Sequence, residues 1–273
     1  MSHFYFLGNT TNSQLFGCIL QSGGKTVVID GGMPDDYKQL ESILRSEQVS
    51  CIDAWFFTHP HHDHIGAFCS FCENVSDMEI NMVYFNFPKT DFIIENCFRS
   101  QSEVELWKKF DRIIEERFSD KIHTVRRGEV FEFSDITVNV LRVFNEKITE
   151  NLVNNSSSVY RFDVGGRKTL LVLGDIGIEA GEEVMKLCTE EELEAAYTQL
   201  SHHGQKGASK EFYLYIKPKR CLWGTPLWLW DNHDKNGVFG AGKFETLETR
   251  QWMKELGVTE HYVAKDGTVK IEL

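Results

Sequence analysis

The stretch Thr58–Phe68, which reads THPHHDHIGAF, constrains this chain more than any other feature. Four of its first seven residues are histidine and a fifth is aspartate, whereas the other six of the ten histidines are scattered over the rest of the sequence. An apolar run, AWFF, precedes the stretch and predicts a strand, and a helix is predicted after it. Such a dense set of imidazoles between a strand and a helix indicates a metal site.

The spacing of these residues predicts two adjacent metal ions. His59 and His61 lie two apart, and in an extended segment such residues point the same way, so both can reach one ion. Pro60 between them favours the extended form. Asp63 and His64 follow at the entry to the helix and can face a second ion. The alternative is a polar loop with no ligand.

His62 alternates away from these neighbours, and we expect it to face solvent or to support a ligand rather than to bind metal.

Two more candidate ligands stand at the ends of apolar strands. KTLLVLGD ends in Asp175, whose two oxygens could bridge two cations, and Gly174 permits a tight turn before it. YTQLSHHG ends in His202 and His203. Because adjacent residues at the end of a strand point in opposite directions, we expect only one of the pair to bind metal directly. The other would orient a ligand or contact the substrate.

Strand and helix patterns alternate along the whole chain without a long linker or a repeat. We therefore predict a single domain over residues 1–273, with two sheets packed together and helices outside. The clearest helix is SEVELWKKFDRIIEERF, in which apolar residues recur at helical spacing.

Composition narrows the class of protein. The formal net charge is −12, so tight sequence-independent binding to long nucleic acid is not expected. No apolar run approaches the ~20 residues that span a bilayer, and the amino terminus does not resemble a signal peptide. The seven cysteines follow no secreted framework, which predicts reduced thiols and a cytoplasmic location.

Together, THPHHDHIGAF, NNSSSVYRFDVGGRKTLLVLGDIG and LSHHG resemble the metallo-β-lactamase-fold superfamily. Within it, the chain is most similar to the soluble domain of the competence protein ComEC and to related phosphodiesterases. The resemblance implies an α/β (α+β) fold: an αβ/βα four-layer sandwich of two mixed sheets, with helices outside and the metals at one edge.

The resemblance also implies a ligand set. His59 and His61 would hold one metal ion, and Asp63, His64 and one of the final histidine pair would hold the other, with Asp175 bridging. We favour His203 as the ligand and His202 as its substrate-facing neighbour.

The sequence departs from the superfamily at one position of this set. Many members have a further metal histidine between the first motif and the bridging aspartate. Here only His123 lies in that interval, in a segment that reads as an ordinary strand. The first metal would then have two histidines and the shared aspartate.

Several other residues could bind or position a substrate. Lys206 is placed to meet a substrate anion, and Trp228 and Trp230 could line an aromatic wall. Asn154, Asn155 and Ser156 could form a turn, or provide an amide near the metals.

These features predict a dinuclear metal-dependent hydrolase acting on a small molecule, with a phosphodiester as the expected substrate. The nucleophile would be a metal-bridging hydroxide oriented by Asp63 or Asp175, and His202 would assist the leaving group. Zinc is the expected metal, with manganese and iron as alternatives. A thioester, lactone or β-lactam could be hydrolysed in the same way. A non-enzymatic metal-binding or regulatory protein is the alternative from another class.

Overall fold

Two β-sheets packed face to face form the centre of the protein. The computed structural model describes residues 2–97 and 100–273, and within these ranges each sheet has seven strands. The spatial order of the first sheet is β16 (Val269–Glu272), β1 (His3–Phe6), β2 (Gly17–Ser22), β3 (Lys25–Asp30), β5 (Ala54–Phe56), β7 (Val83–Phe85) and β8 (Ile122–Thr124). The order of the second is β15 (Glu260–Val263), β14 (Arg220–Trp223), β13 (Tyr197–Gln199), β12 (Arg167–Val172), β11 (Val159–Val164), β10 (Ile136–Arg142) and β9 (Val130–Phe133). Two short strands, β4 (Cys51–Ile52) and β6 (Glu79–Ile80), pair separately.

Helices cover the outer faces of both sheets. They are α1 (Tyr37–Ser46), α2 (His62–Asn74), α3 (Thr90–Asn96), α4 (Gln101–Phe118), α5 (Leu152–Asn155), α6 (Ile178–Leu187), α7 (Glu190–Leu193), α8 (Lys210–Ile216), α9 (Leu227–Trp230) and α10 (Thr246–Glu255). Short 3-10 segments occupy Pro34–Asp36, Ser201–Gly204 and Ala264–Asp266. The buried residues of α1, α2 and α4 pack on the first sheet, and those of α6, α8 and α10 pack on the second. The predicted order of layers, helix, sheet, sheet and helix, is confirmed.

The longest helix, α4, illustrates how the sequence directs this packing. Ser100 caps its amino terminus by accepting a hydrogen bond from the backbone nitrogen of Glu103, whose carboxylate in turn accepts from the Ser100 nitrogen. The apolar side chains at helical spacing are buried, as predicted, and the charged face is exposed. No helix in the described ranges has the length and apolar character that crossing a membrane requires.

The core between the sheets is rich in aromatic rings, and Phe56 lies near its centre. Its ring stacks on Tyr84 with a centroid distance of 4.4 Å and meets Tyr160 and Phe162 of the opposite sheet edge to face, at 5.5 and 5.7 Å. Removing such a ring typically costs about 3–5 kcal/mol of stability. Because Phe56 ends the strand that leads into the histidine cluster, this core also anchors the cluster.

Parallel pairing brings the polar strand ends to one edge of the sandwich. Strand β3 is parallel to β5 in the first sheet, and β12 is parallel to β13 and β13 to β14 in the second. The carboxyl ends of parallel strands lie at the same edge of a sheet. The loops that carry the candidate ligands therefore begin at this edge.

Candidate metal centre

His59 and His61 converge where β5 leads into α2. The Nε2 atom of His59 lies 3.1 Å from Nδ1 of His61, and both side chains are buried. The indole nitrogen of Trp107 donates a hydrogen bond of 2.6 Å to the carbonyl of Pro60, which fixes the backbone between them. The two ring nitrogens thus lie side by side, and the assignment of this pair to a single ion stays a prediction.

Asp63 and His64 occupy the first turn of α2 and face the other strand ends. The Oδ2 atom of Asp63 lies 3.0 Å from Nε2 of His203. The Nε2 atom of His64 lies 3.3 Å from Oδ1 of Asp175. The helix therefore presents two candidate ligands towards the second sheet.

Asp175 lies at the centre of the cluster. Its Oδ2 atom is 3.6 Å from Nε2 of His59 and 3.4 Å from Nε2 of His203, while its Oδ1 atom faces His64. The turn that places it needs Gly174, whose φ is +57° and where a Cβ would lie 2.7 Å from the Ser157 hydroxyl. A carboxylate that faces three imidazoles suits the predicted bridging position.

The final histidine pair diverges, but for a different reason from the one predicted. We expected the two residues to alternate at the end of an extended strand. Instead β13 ends at Gln199, and His202 and His203 have left-handed backbone angles, with φ of +50° and +56°. Two consecutive non-glycine residues in this region store strain, which is most often found at functional sites.

The two imidazoles of this pair have different environments. His203 is fully buried and its Nε2 atom faces Asp63 and Asp175. His202 is partly exposed, and its Nδ1 atom lies 2.8 Å from the carbonyl oxygen of Lys206. Because a carbonyl only accepts, Nδ1 of His202 carries a proton. The buried ring is thus the candidate ligand of the pair, and the partly exposed one lines the cleft described below.

Asp30 is a member of the centre that the sequence analysis missed. Its Oδ2 atom lies 2.8 Å from Nδ1 of His64 and accepts a hydrogen bond of 2.8 Å from the Thr58 hydroxyl. The same hydroxyl oxygen lies 3.0 Å from Nδ1 of His59. Since its hydrogen is used on Asp30, Thr58 accepts from His59. Both histidines therefore hold a proton on Nδ1 and direct Nε2 towards Asp175. In metal sites, a hydrogen bond to the nitrogen that does not bind the metal typically fixes the ring in this way.

The charged groups of the cluster shift one another's pKa. Burial opposes ionisation, but the neighbouring imidazoles hold the pKa of Asp175 well below its usual range. Burial also opposes charging of His203, yet the carboxylates of Asp175 and Asp63 raise its pKa to about 9. Burial opposes charging of His64 as well, but the carboxylates of Asp175 and Asp30 raise its pKa well above the ordinary value. For His59 burial prevails and lowers the pKa.

The donor atoms of this cluster fit divalent cations. Among the described residues, two groups have ligand atoms within 4.8 Å of one another: His59, His64 and Asp175, and Asp63, His64 and His203. In the same part of the chain, Nε2 of His64, Oδ1 of Asp175 and Nε2 of His203 are buried without a hydrogen bond of regular geometry, although Nε2 of His64 lies 3.3 Å from Oδ1 of Asp175 and Nε2 of His203 lies 3.0 Å from Oδ2 of Asp63. A bound cation would give these donor atoms a partner of better geometry. Imidazole and carboxylate are the ligands that zinc, manganese and iron share.

Two further histidines, His123 and His233, lie outside this cluster. The Nε2 atom of His123 is 3.0 Å from Glu129, on the half-exposed strand β8. His233 lies near Asp231, at 3.7 Å. Neither supplies a third histidine to the His59–His61 position.

A cleft of about 480 Å³ opens beside the metal centre. His61 and His202 contribute to one wall, together with Asn154, and Lys206, Lys243 and Phe244 also line it. The aromatic ring of this wall is Phe244, whereas Trp230 packs against Trp223 with a centroid distance of 5.2 Å. The ring of Trp228, the second tryptophan proposed for this wall, contacts the ring of Phe244, with a centroid distance of 5.5 Å.

Comparison with known proteins agrees with this architecture. The family model of the metallo-β-lactamase superfamily matches residues 17–187. The fold is similar to that of YhfI from Bacillus subtilis, with a TM-score of 0.57, 12% identity and 99% of each chain covered. It is also similar to a diphosphatase of the PhnP family (TM-score 0.52, 17% identity, 100% of this chain and 98% of that one) and to yeast PDE1 (0.52, 14%, 100% of each). No curated protein is similar enough in sequence to count as a relative.

Proposed function

Because the chain belongs to the metallo-β-lactamase superfamily, we propose that it is a hydrolase with two divalent metal ions and that its substrate is a small phosphodiester. His59, His61 and Asp175 would hold one ion, and Asp63, His64, His203 and Asp175 the other. Zinc is the proposed metal. When bound, such a pair of ions activates water at neutral pH and neutralises charge on phosphoryl oxygens.

The single observation that carries the choice of substrate is the pair of lysines in the cleft. Lys206 and Lys243 line the same cleft as His61 and His202. Two cationic side chains beside the metal centre can attract an anionic substrate. Two carboxylates, those of Glu150 and Glu179, also line this cleft, and Lys206 lies 3.6 Å from Glu245. Glu179 accepts a hydrogen bond of 2.9 Å from Asn155, and a substrate phosphate would compete with these carboxylates for the two lysines. At 17% and 14% identity the structural neighbours share the fold, so the proposal stands on the cleft.

His202 would act on the leaving group. Its Nδ1 proton is held by the Lys206 carbonyl, so in the neutral ring Nε2 accepts a hydrogen bond. Donation of a proton to the leaving oxygen therefore requires the doubly protonated ring. Asp63 and Asp175 would orient the attacking water as well as holding metal.

A substrate panel tests the proposal. Metal-loaded protein is assayed on bis(p-nitrophenyl) phosphate and on thioester, lactone and β-lactam probes, and Asp175→Asn serves as the inactive reference. We expect the diester to be turned over fastest. Faster turnover of a carbonyl substrate would contradict the proposed substrate class, and no turnover of any probe would favour the binding or regulatory alternative.

A matched pair of variants tests the role of the lysines. Lys206→Ala should raise KM for the diester, because it removes a cation from the cleft wall. Lys210→Ala is the control, since Lys210 pairs with Glu255 at 2.6 Å and does not line the cleft. Equal effects of the two variants would show that the cleft lysines do not contact the substrate.

A further inference from the structure

Asn154 has an amide oxygen that accepts no hydrogen bond from any residue the structure describes. The side chain is only 4% exposed, and its Oδ1 atom is buried without a hydrogen-bond partner. Its neighbour Asn155 differs: the Oδ1 atom accepts from the backbone nitrogen of Gly177 at 2.7 Å, and Nδ2 donates to the Glu150 carbonyl and to Glu179. Asn155 is therefore a structural residue, whereas Asn154 has an unpaired acceptor.

The surroundings of the Asn154 amide fix which of its two atoms is the oxygen. Nδ2 donates to Oδ1 of Asn151 at 3.2 Å and lies 3.4 Å from Nε2 of His202. Because Nδ1 of His202 carries the proton, its Nε2 atom is an acceptor in the neutral ring. Two acceptors on one side of the amide place the nitrogen there, so the oxygen is on the other side.

The segment that carries Asn154 lies against both strand ends that bear the ligands. The backbone nitrogen of Ser158 donates to the carbonyl of Thr58, directly before His59, at 2.8 Å. The backbone nitrogen of Asp175 donates to the Ser157 hydroxyl at 2.9 Å. Asn154 also lines the cleft that His61 lines. The segment thus borders the metal centre between the strand end that leads to His59 and the turn that carries Asp175.

A buried arginine holds this segment in place. Arg142 is 1% exposed, and its Nη1 atom donates to the carbonyls of Asn155 and Ser157, both at 2.6 Å. Its Nε atom pairs with Glu183 at 2.8 Å. Burying a guanidinium is costly unless it is paired, and here the pairing fixes the backbone on either side of residue 156. Asn154 is thereby held rigidly.

From these contacts we propose that the amide oxygen of Asn154 completes the ligand set of the metal position formed by His59 and His61, in place of a third histidine. This inference rests on the metal assignment proposed above. Replacing an imidazole by a neutral oxygen donor makes the position harder in its ligand character, which favours manganese or magnesium there more than an all-histidine set would.

Metal binding to two isosteric variants in the same cleft tests the inference without an activity readout. Chelator-treated wild type, Asn154→Asp and Asn151→Asp are titrated with manganese and with zinc by calorimetry. Both variants add one negative charge, but only the first adds it to the proposed ligand. Asn154→Asp should tighten one of two manganese sites by roughly tenfold or more, the scale on which changes around a metal alter its affinity, and Asn151→Asp should change it far less.

A third variant removes the donor. Asn154→Ala should weaken one site and leave the other unchanged, with a circular dichroism spectrum like that of the wild type. Equal tightening by the two aspartate variants would overturn the inference, since charge alone would then explain it, and so would wild-type affinities in Asn154→Ala. A wild-type protein that binds no metal would instead overturn the proposed metal centre itself.

Discussion

The Nδ1 atom of His64 lies 2.8 Å from Oδ2 of Asp30, and both side chains are fully buried. A carboxylate oxygen accepts, so the proton on this side of the ring stays on Nδ1. Nε2 is then directed at Asp175, 3.3 Å away. Through Thr58 the same carboxylate also orients His59. One aspartate behind the cluster thus sets the direction of two candidate ligands.

Replacing this aspartate should weaken metal binding without removing a ligand. We expect Asp30→Asn to lower metal affinity by roughly 10–100-fold, as is typical of residues that orient metal-binding histidines. Competition with a chromogenic chelator measures the change. Asp163→Asn is the control, because Asp163 pairs with Arg161 on the partly exposed face of β11. Unchanged affinity in Asp30→Asn would show that the ring directions do not depend on this contact.

The candidate ligands at this edge of the sandwich could be predicted from the sequence, because they are closely and regularly spaced along the chain. The histidines of the first motif, Asp175 and the pair 202–203 each follow an apolar run, and the structure brings them together. Asp30 was not identified as part of the site, although it also ends an apolar strand, TVVID, before two glycines. A lone aspartate before GG indicates a turn, and its contact with His64 spans 34 positions. The strand-end position is the signal that could have found it.

The backbone at the second histidine pair could not be predicted. Strand propensity suggests an extended end, but His202 and His203 are left-handed, and Gly204 after them approaches Trp223 closely. A Cβ at residue 204 would lie 2.2 Å from that ring. Such a close approach depends on β14, which comes later in the chain. The short strands β1 and β9 were not among the predicted elements either. The resemblance to the ComEC-like branch stays a prediction.

The two histidines of this pair should have separate roles. His203→Ala should lower the metal content, because it removes a fully buried ligand that faces Asp63 and Asp175. His202→Ala should keep the metal and lower turnover by about 10²-fold or more, as loss of a proton donor typically does. Metal analysis and steady-state kinetics of both variants separate the roles. Metal loss from His202→Ala alone would reverse the assignment.

Metal binding should release protons and strengthen as the pH rises. In the metal-free protein the carboxylates of Asp175 and Asp63 raise the pKa of His203 to about 9, against burial. The ring is therefore protonated at pH 7, and a cation must displace that proton. Calorimetric titrations in buffers of different ionisation enthalpy measure the release. Binding that takes up protons, or that is independent of pH between 6 and 9, would contradict this account.

The raised pKa of His203 also predicts how the stability of the metal-free protein depends on pH. This stability should fall as the pH rises, whereas metal binding should strengthen. A histidine whose pKa is raised on folding stabilises the protein fully below its unfolded pKa of about 6.5, and the contribution is lost as the pH rises through the folded value. The metal-free protein should therefore lose thermal stability between pH 6.5 and about 9. His123→Ala is the control, since this half-exposed ring lies outside the cluster, beside Glu129 and Phe131. A metal-free melting temperature that rises over this interval would contradict the prediction.

The central claim is that the cluster around Asp175 holds two divalent ions, and the number of ions per chain tests it most directly. Chelator-treated protein is dialysed against zinc or manganese, freed of excess metal and measured by inductively coupled plasma mass spectrometry, with Asp175→Asn alongside. We predict two equivalents in the wild type and fewer in the variant, because the amide has lost the charge between the two cations. A folded wild-type protein that holds no metal under these conditions would contradict the account.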